Sequence, residues 1–277
     1  MKVIDCVPYF NEDKILNLRF EILNDFVDTF VVVECSHVHS GAYKGQNFKI
    51  EKFAKFKSKI NYKYVDITEK KELILKAQNN AQVIENFQRN CIREALKDND
   101  KDDLIIISDC DEIPKLNKKL INKISNDKFY KQFFFIQKFY YYRPNLQLFE
   151  KYFFGIKQVR WTGSKLIKKS NLGYPQDLRS MPSYSRFSIY KRLMQKTKLI
   201  EDGGWHLSFM QSPEDIQKKI SSYSHQEYNN EKFNSIEIIK SKILNKEDLF
   251  GRGYLLKHKE DNGLIDFMKK NNISLGV

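Results

Sequence analysis

Four consecutive apolar residues, Leu104-Ile105-Ile106-Ile107, run straight into Ser108-Asp109-Cys110-Asp111-Glu112. A half-buried strand alternates apolar and polar side chains. An unbroken apolar run has to hide both faces, which requires packed layers on either side of its sheet. The preceding sequence supplies such layers. Residues 3–7 form a short apolar strand ending at Pro8, and Asn11 or Asp13 is placed to cap a helix carrying Ile15, Leu16, Leu18, Phe20, Ile22 and Leu23. Residues 30–33 form a second strand ending in Glu34, residues 49–56 read as a helix and residues 60–65 as a strand. Ile84, Phe87, Cys91 and Ala95 share one helical face. This β-α-β-α order predicts an α/β fold with a mostly parallel central sheet flanked by helices.

The second half has a different texture. Residues 133–142 form an aromatic-rich strand and residues 159–167 another, with Trp161 and Gly163 inside it. Residues 173–185 read as a loop containing Pro175 and Pro182, and Gly203-Gly204 as a turn before Trp205-His206. Ser212-Pro213 opens a helix, with proline at its first position, and a last helix covers about residues 235–244. No internal repeat or low-complexity linker divides the chain, so one domain is expected over its 277 residues. Residues 1–115 would form a nucleotide-binding front half and residues 116–277 an acceptor-binding back half.

Charge narrows the function class. The formal net charge is +13, yet lysines are spread along the whole chain. The local group Lys115, Lys118, Lys119 and Lys123 reads as one solvated helix face. No nucleic-acid motif accompanies it, so nucleic acid is not expected as a partner. An anionic membrane remains a candidate peripheral contact on net charge alone. No run of about 18 uncharged apolar residues occurs, and Asp5 interrupts what would be a signal peptide's apolar core. The four cysteines, Cys6, Cys35, Cys91 and Cys110, sit beside apolar segments without zinc-ligand spacing. A soluble, cytoplasmic chain with reduced thiols is the expectation.

In parallel sheets, ligands bind beyond the carboxyl ends of the strands. Three such ends carry polar groups here: Phe10-Asn11-Glu12, Glu34, and Asp109-Cys110-Asp111-Glu112. Hard carboxylate oxygens suit Mg²⁺ or Mn²⁺, and a diphosphate leaving group needs such a cation for the charge it develops. Two acids one residue apart in extended backbone face the same way, which would let Asp109 and Asp111 reach one ion.

The string Ser108-Asp109-Cys110-Asp111-Glu112-Ile113-Pro114 resembles the metal motif of the family 17 glycosyltransferases. Phe10-Asn11-Glu12, Phe30-Val31-Val32-Val33-Glu34, Gly204-Trp205-His206-Leu207-Ser208, the stretch from Lys219 to Ser224-His225, and Asp248-Leu249-Phe250-Gly251-Arg252 are similar to further parts of that family. The resemblance implies a GT-A fold, a UDP-sugar donor, N-acetylglucosamine as the sugar, Mn²⁺ (or Mg²⁺), a glycan acceptor and inversion at the anomeric carbon.

On this resemblance Asp111 is the first candidate metal ligand, with Asp109 binding the metal or the donor ribose. His206 is a further metal or diphosphate contact, and His225 competes with it. His37 and His39 follow a strand end and are candidates to line the site. Phe10, Asn11, Glu12, Glu34, Arg89, Asn90 and Trp205 are candidate donor contacts. Arg89 points away from the apolar stripe of its helix, so a surface role rivals this one. An inverting transfer needs a base, for which Asp202 is the candidate, entering beside His206, with Asp177 and Glu112 as rivals. Trp161 reads as core. Of other classes, a sugar-nucleotide pyrophosphorylase would place a glycine-rich basic loop after the first strand, where this chain has Pro8-Tyr9-Phe10-Asn11-Glu12. A basic nucleic-acid or membrane-binding protein would cluster its charge.

Overall fold

A computed structural model describes residues 1–182 and 186–275. Its strands in chain order are β1 (Val3–Pro8), β2 (Thr29–Cys35), β3 (Ile60–Val65), β4 (Leu104–Ile107), β5 (Glu112–Pro114) and β6 (Gln132–Tyr141). They continue with β7 (Leu146–Tyr152), β8 (Gly155–Gln158), β9 (Arg160–Lys168), β10 (Thr197–Ile200), β11 (Gly204–Ser208) and β12 (Leu255–His258).

Strand β4 is buried on both faces, as its composition requires. Leu104 and Ile106 join the larger core cluster, with Val3, Phe20, Phe30 and Leu166. Ile105 and Ile107 point the other way, to Ile4, Cys6, Val31 and Ile92. The period of two in strand side chains produces this division. Strands β3, β2, β1 and β4 run parallel, with Ile4 opposite Thr29 and Ile105.

The back half departs from the parallel expectation. Strand β9 joins the free edge of β4 in antiparallel sense, and β6 pairs antiparallel with β9. The order β12-β7-β6-β9-β4-β1-β2-β3 therefore makes a mixed sheet. Strand β11 pairs parallel with β6 and antiparallel with β5, which folds the second half over the end of β4.

Several local expectations change. Residues 50–59 form a 3₁₀ helix with non-helical backbone at Phe53. The helical face through Ile84 and Ala95 is split into Gln82–Asn90 and Ile92–Ala95. The segment read as loop contains a helix, Pro175–Ser180, while its residues 183–185 lie outside the described ones. A helix at Asn262–Lys270, capped by Asp261, and strand β12 had no counterpart in the sequence reading. The helix Pro213–Ser222 starts as expected, with Ser212 accepting from Asp215 N at 3.2 Å.

Candidate active site

The chain after β4 closes into a turn in which Glu112 N donates to Asp109 O at 3.1 Å. The expected extended spacing is therefore absent, and the two acids meet different partners. Arg19 sets this turn from below. It is fully buried, binds both oxygens of Asp5 at 2.6 and 2.7 Å, and donates to the carbonyls of Glu112 at 2.6 Å and Asp109 at 3.2 Å.

Asp109 lies between two guanidinium groups. Arg89 donates to its Oδ1 at 2.7 Å and Arg179 to its Oδ2 at 2.8 Å. Burial alone would raise the Asp109 carboxyl; Arg179 and Arg89 outweigh it and hold the group well below the usual carboxylate range. Arg89 also binds Glu85 at 2.8 Å, and Arg179 binds Glu112 at 2.7 Å. Glu112 accepts from Trp161 Nε1 at 2.5 Å. Both carboxylate oxygens of Asp109, a residue expected to ligate metal, are thus engaged with arginines.

Asp111 faces the other side of the turn. Lys219, from the helix Pro213–Ser222, donates to Asp111 Oδ2 at 3.3 Å and to Glu12 Oε1 at 3.0 Å. His206 Nε2 stands 3.6 Å from Asp111 Oδ1. Burial opposes ionisation of Asp111, but Lys219 and then His206 keep it well below its ordinary value. Burial raises the Glu12 carboxyl, against the pull of Lys219. The His206 ring stacks on Phe139 at 4.1 Å and leans on Trp161, and its buried Nδ1 has no hydrogen-bond partner among the described residues.

Strand β11 aims that imidazole. His206 sits opposite Glu112 in the β5–β11 register, and Gly204 opposite Pro114. Gly204 has φ +127°, and a Cβ there would lie 2.1 Å from the Ile113 carbonyl oxygen, so only glycine permits this approach.

Two adjoining cavities of about 270 and 280 Å³ share Phe10, Glu12, Asp111, Phe209 and Lys219 as a common wall. The second also holds Asp109, Arg89, Arg179, Glu85, Glu112, Trp161, His39, His206 and His225. Asn11, with φ +53°, lines only the first.

Other candidates lie elsewhere. Asp202 is half exposed and bound to Lys115 at 2.7 Å and Lys138 at 2.9 Å, outside both cavities. Burial would raise its carboxyl, but the two lysines lower it, the reverse of what a base near neutrality needs. Glu34 is buried beneath the chain, accepting from Asn47 N, Phe48 N and the Tyr62 hydroxyl at 2.8–3.0 Å. Trp205 packs in the main core and bonds Asp261. Asn90 accepts from Gln176 N at 3.0 Å and so supports the helix that carries Arg179. His37 is buried against Ser36. Asp177 is exposed on its helix, away from both cavities. The surface reading of Arg89 is overturned, since the residue is 2% exposed. Trp161, read as core, reaches the cleft instead. Arg179, Arg19, Glu85 and the role of Lys219 were missed. Only the Arg89–Glu85 spacing of four residues and the position of Lys219 in a family-like string offered any signal.

Among the described residues no three His, Cys, Asp or Glu side chains gather into a ready cage. Asp111 and His206, the latter with an unsatisfied buried nitrogen, suit a partial ligand set that diphosphate oxygens and water complete.

This fold and cleft suit an enzyme acting on a charged ligand at the carboxyl ends of the parallel strands of its mixed sheet. The sequence profile of glycosyltransferase family 17 matches residues 1–156, and the chain belongs to that family. A search of curated proteins gives no match. Among solved structures, 4-diphosphocytidyl-2C-methyl-D-erythritol synthase from Anaerococcus prevotii is similar at 14% identity, covering 78% of this chain and 92% of its own, with a TM-score of 0.39. HddC from Yersinia pseudotuberculosis gives 12%, 73%, 92% and 0.38 on the same measures. The galactosyltransferase LgtC with donor and acceptor sugar analogs gives 10%, 72%, 73% and 0.33.

Proposed function

We propose that this glycosyltransferase moves a sugar, N-acetylglucosamine by its family resemblance, from a UDP-sugar to a glycan hydroxyl with inversion, using Mn²⁺ or Mg²⁺. One observation carries the cation requirement. The cleft around Asp109 holds five carboxylates, Glu12, Glu85, Asp109, Asp111 and Glu112, against three fixed cations, Arg89, Arg179 and Lys219. An anionic diphosphate entering that surplus of negative charge needs added positive charge.

Asp111 and His206 would hold the ion, which when bound offsets the negative charge developing on the departing diphosphate. Arg89 and Arg179, fixed by Asp109, face the same cavity and orient the donor. The acceptor occupies the adjoining cavity, across the wall made by Phe10, Glu12 and Phe209. Glu12 replaces Asp202 as the proposed base, because it borders both cavities and burial raises its carboxyl. Its carboxylate takes the hydroxyl proton as that oxygen bonds the anomeric carbon. The bond from that carbon to the diphosphate oxygen breaks, and its electron pair leaves with UDP.

Calorimetry with UDP-N-acetylglucosamine, other UDP-sugars and GDP-sugars, with and without Mn²⁺, tests this reading. Binding of a UDP-sugar that requires Mn²⁺ and is lost in Asp111→Ala is expected. Donor binding unchanged by chelator removes the metal, and no binding of any nucleotide sugar removes the donor class.

A further inference from the structure

Strands β7 and β8 form a hairpin whose two-residue turn is Phe153-Phe154. Two-residue hairpin turns ordinarily use glycine, asparagine or aspartate, whose backbones tolerate the geometry. Two phenylalanines at such a turn gain nothing for the fold, because they are 93% and 82% exposed. Tyr152 and Ile156, beside them, are 46% and 41% exposed. The rings of Phe153 and Phe154 meet edge to face at 4.9 Å, and a Cβ built on neighbouring Gly155 would meet nothing within 4 Å. The tip therefore projects into open space as a contiguous apolar knob.

Its flanks are basic. Lys151 precedes the aromatics, Lys157 follows them, and no acid lies between residues 151 and 158. Lys157 is 3.3 Å from Glu150 and lies over the Tyr152 ring. The chain as a whole carries +13.

We infer that this hairpin tip docks on an anionic lipid surface, with Phe153 and Phe154 in the interfacial layer and Lys151 and Lys157 against acidic headgroups. Size decides between a bilayer and a protein partner. With about 200 Å² per large side chain, the four exposed residues offer about 500 Å², short of the roughly 800 Å² per partner of a stable interface. A convex tip of that size is sufficient for a bilayer, where shallow aromatic insertion and basic flanks add. This inference is independent of the donor reading.

The test is sedimentation of the whole chain with phosphatidylcholine vesicles, with and without phosphatidylglycerol, at physiological salt. Wild type should sediment with the anionic vesicles. Phe153→Ser with Phe154→Ser should lower the partition coefficient about tenfold. Lys151→Gln with Lys157→Gln should weaken binding to anionic vesicles alone. In a Phe153→Trp variant, fluorescence should shift to the blue on adding those vesicles. Equal melting temperatures across the variants show that folding is intact. Three results would overturn the inference. Wild type could ignore anionic vesicles. The serine variant could sediment like wild type, which would move the contact elsewhere, for instance to the exposed Ile189, Tyr190, Leu193 and Met194. Finally, light scattering could show a dimer that the serine changes dissolve, which would assign the tip to a second copy of the chain.

Discussion

Lys219 occupies a place that two acids compete for. Glu12 and Asp111 are each about nine-tenths buried, and the ammonium between them is what offsets their burial. A divalent cation binding at Asp111 has to contend with that ammonium. Lys219→Met should therefore lose about 3 kcal/mol of stability without metal, because it leaves buried carboxylates unpaired. It should bind Mn²⁺ about tenfold more tightly, since site charge sets the affinity of hard ions. Urea denaturation and paramagnetic resonance titration of nucleotide-free protein measure the two effects; weaker Mn²⁺ binding would show that Lys219 supports the ion instead. Asp202 provides the contrast. Its carboxylate is half exposed and outside both cavities, so Asp202→Asn should change stability by less than about 1 kcal/mol and leave transfer near normal in a coupled UDP-release assay.

At the scale of elements, the site depends on how short pieces of the back half are fastened to the sheet. Lys165 on β9 is 2% exposed and donates to the carbonyls of Leu178, Arg179 and Met181 at 2.7–3.0 Å. It thereby ties the helix Pro175–Ser180, and Arg179 with it, to the strand. Lys165→Met keeps the apolar stem but strands those carbonyls, a cost of about 3 kcal/mol. Donor affinity should fall with it; a stability loss with unchanged donor affinity would show that Arg179 needs no such tether. The front half was legible because apolar runs and helical faces alternate there in regular order. The antiparallel insertion of β9 beside β4 was not, because strand composition does not name a partner. The helix around Arg179 was hidden by its six-residue length and flanking prolines. Helical periodicity sent Arg89 to the surface, whereas Gln176 of that unforeseen helix and Asp109 of the turn after β4 both bind it in the interior. The tryptophan assignment was open to correction from sequence. Trp205 and His206 are neighbours on one strand, so their side chains take opposite faces, and a histidine in the cleft puts the tryptophan in the core.

At the scale of the whole molecule, the cleft joins the two halves of the chain by charge. Asp109, Asp111 and Glu12 come from the front half, and Arg179, His206 and Lys219 from the back. Asp109 and Asp111 have carboxyls held below the unfolded value of about 3.9, by the arginines in one case and by Lys219 and His206 in the other. Below that value the unfolded chain takes up protons that these folded carboxylates refuse. Their contribution to stability is thus complete above about pH 4 and declines as pH falls through the folded values. Glu12 works in the opposite direction. Its carboxyl is raised, so protonation relieves a buried charge, and the stability gained as pH falls through the raised folded value is complete at the unfolded value of about 4.3. The urea midpoint should accordingly rise slightly between neutrality and about pH 4.3 as Glu12 protonates, and fall below about pH 4. Asp109→Asn should start from a lower midpoint at neutral pH and show a shallower acid limb, while Glu12→Gln should remove the rise above about pH 4.3 and leave the acid limb unchanged. A wild-type acid limb that Asp109→Asn leaves unchanged would place the acid sensitivity outside the cleft.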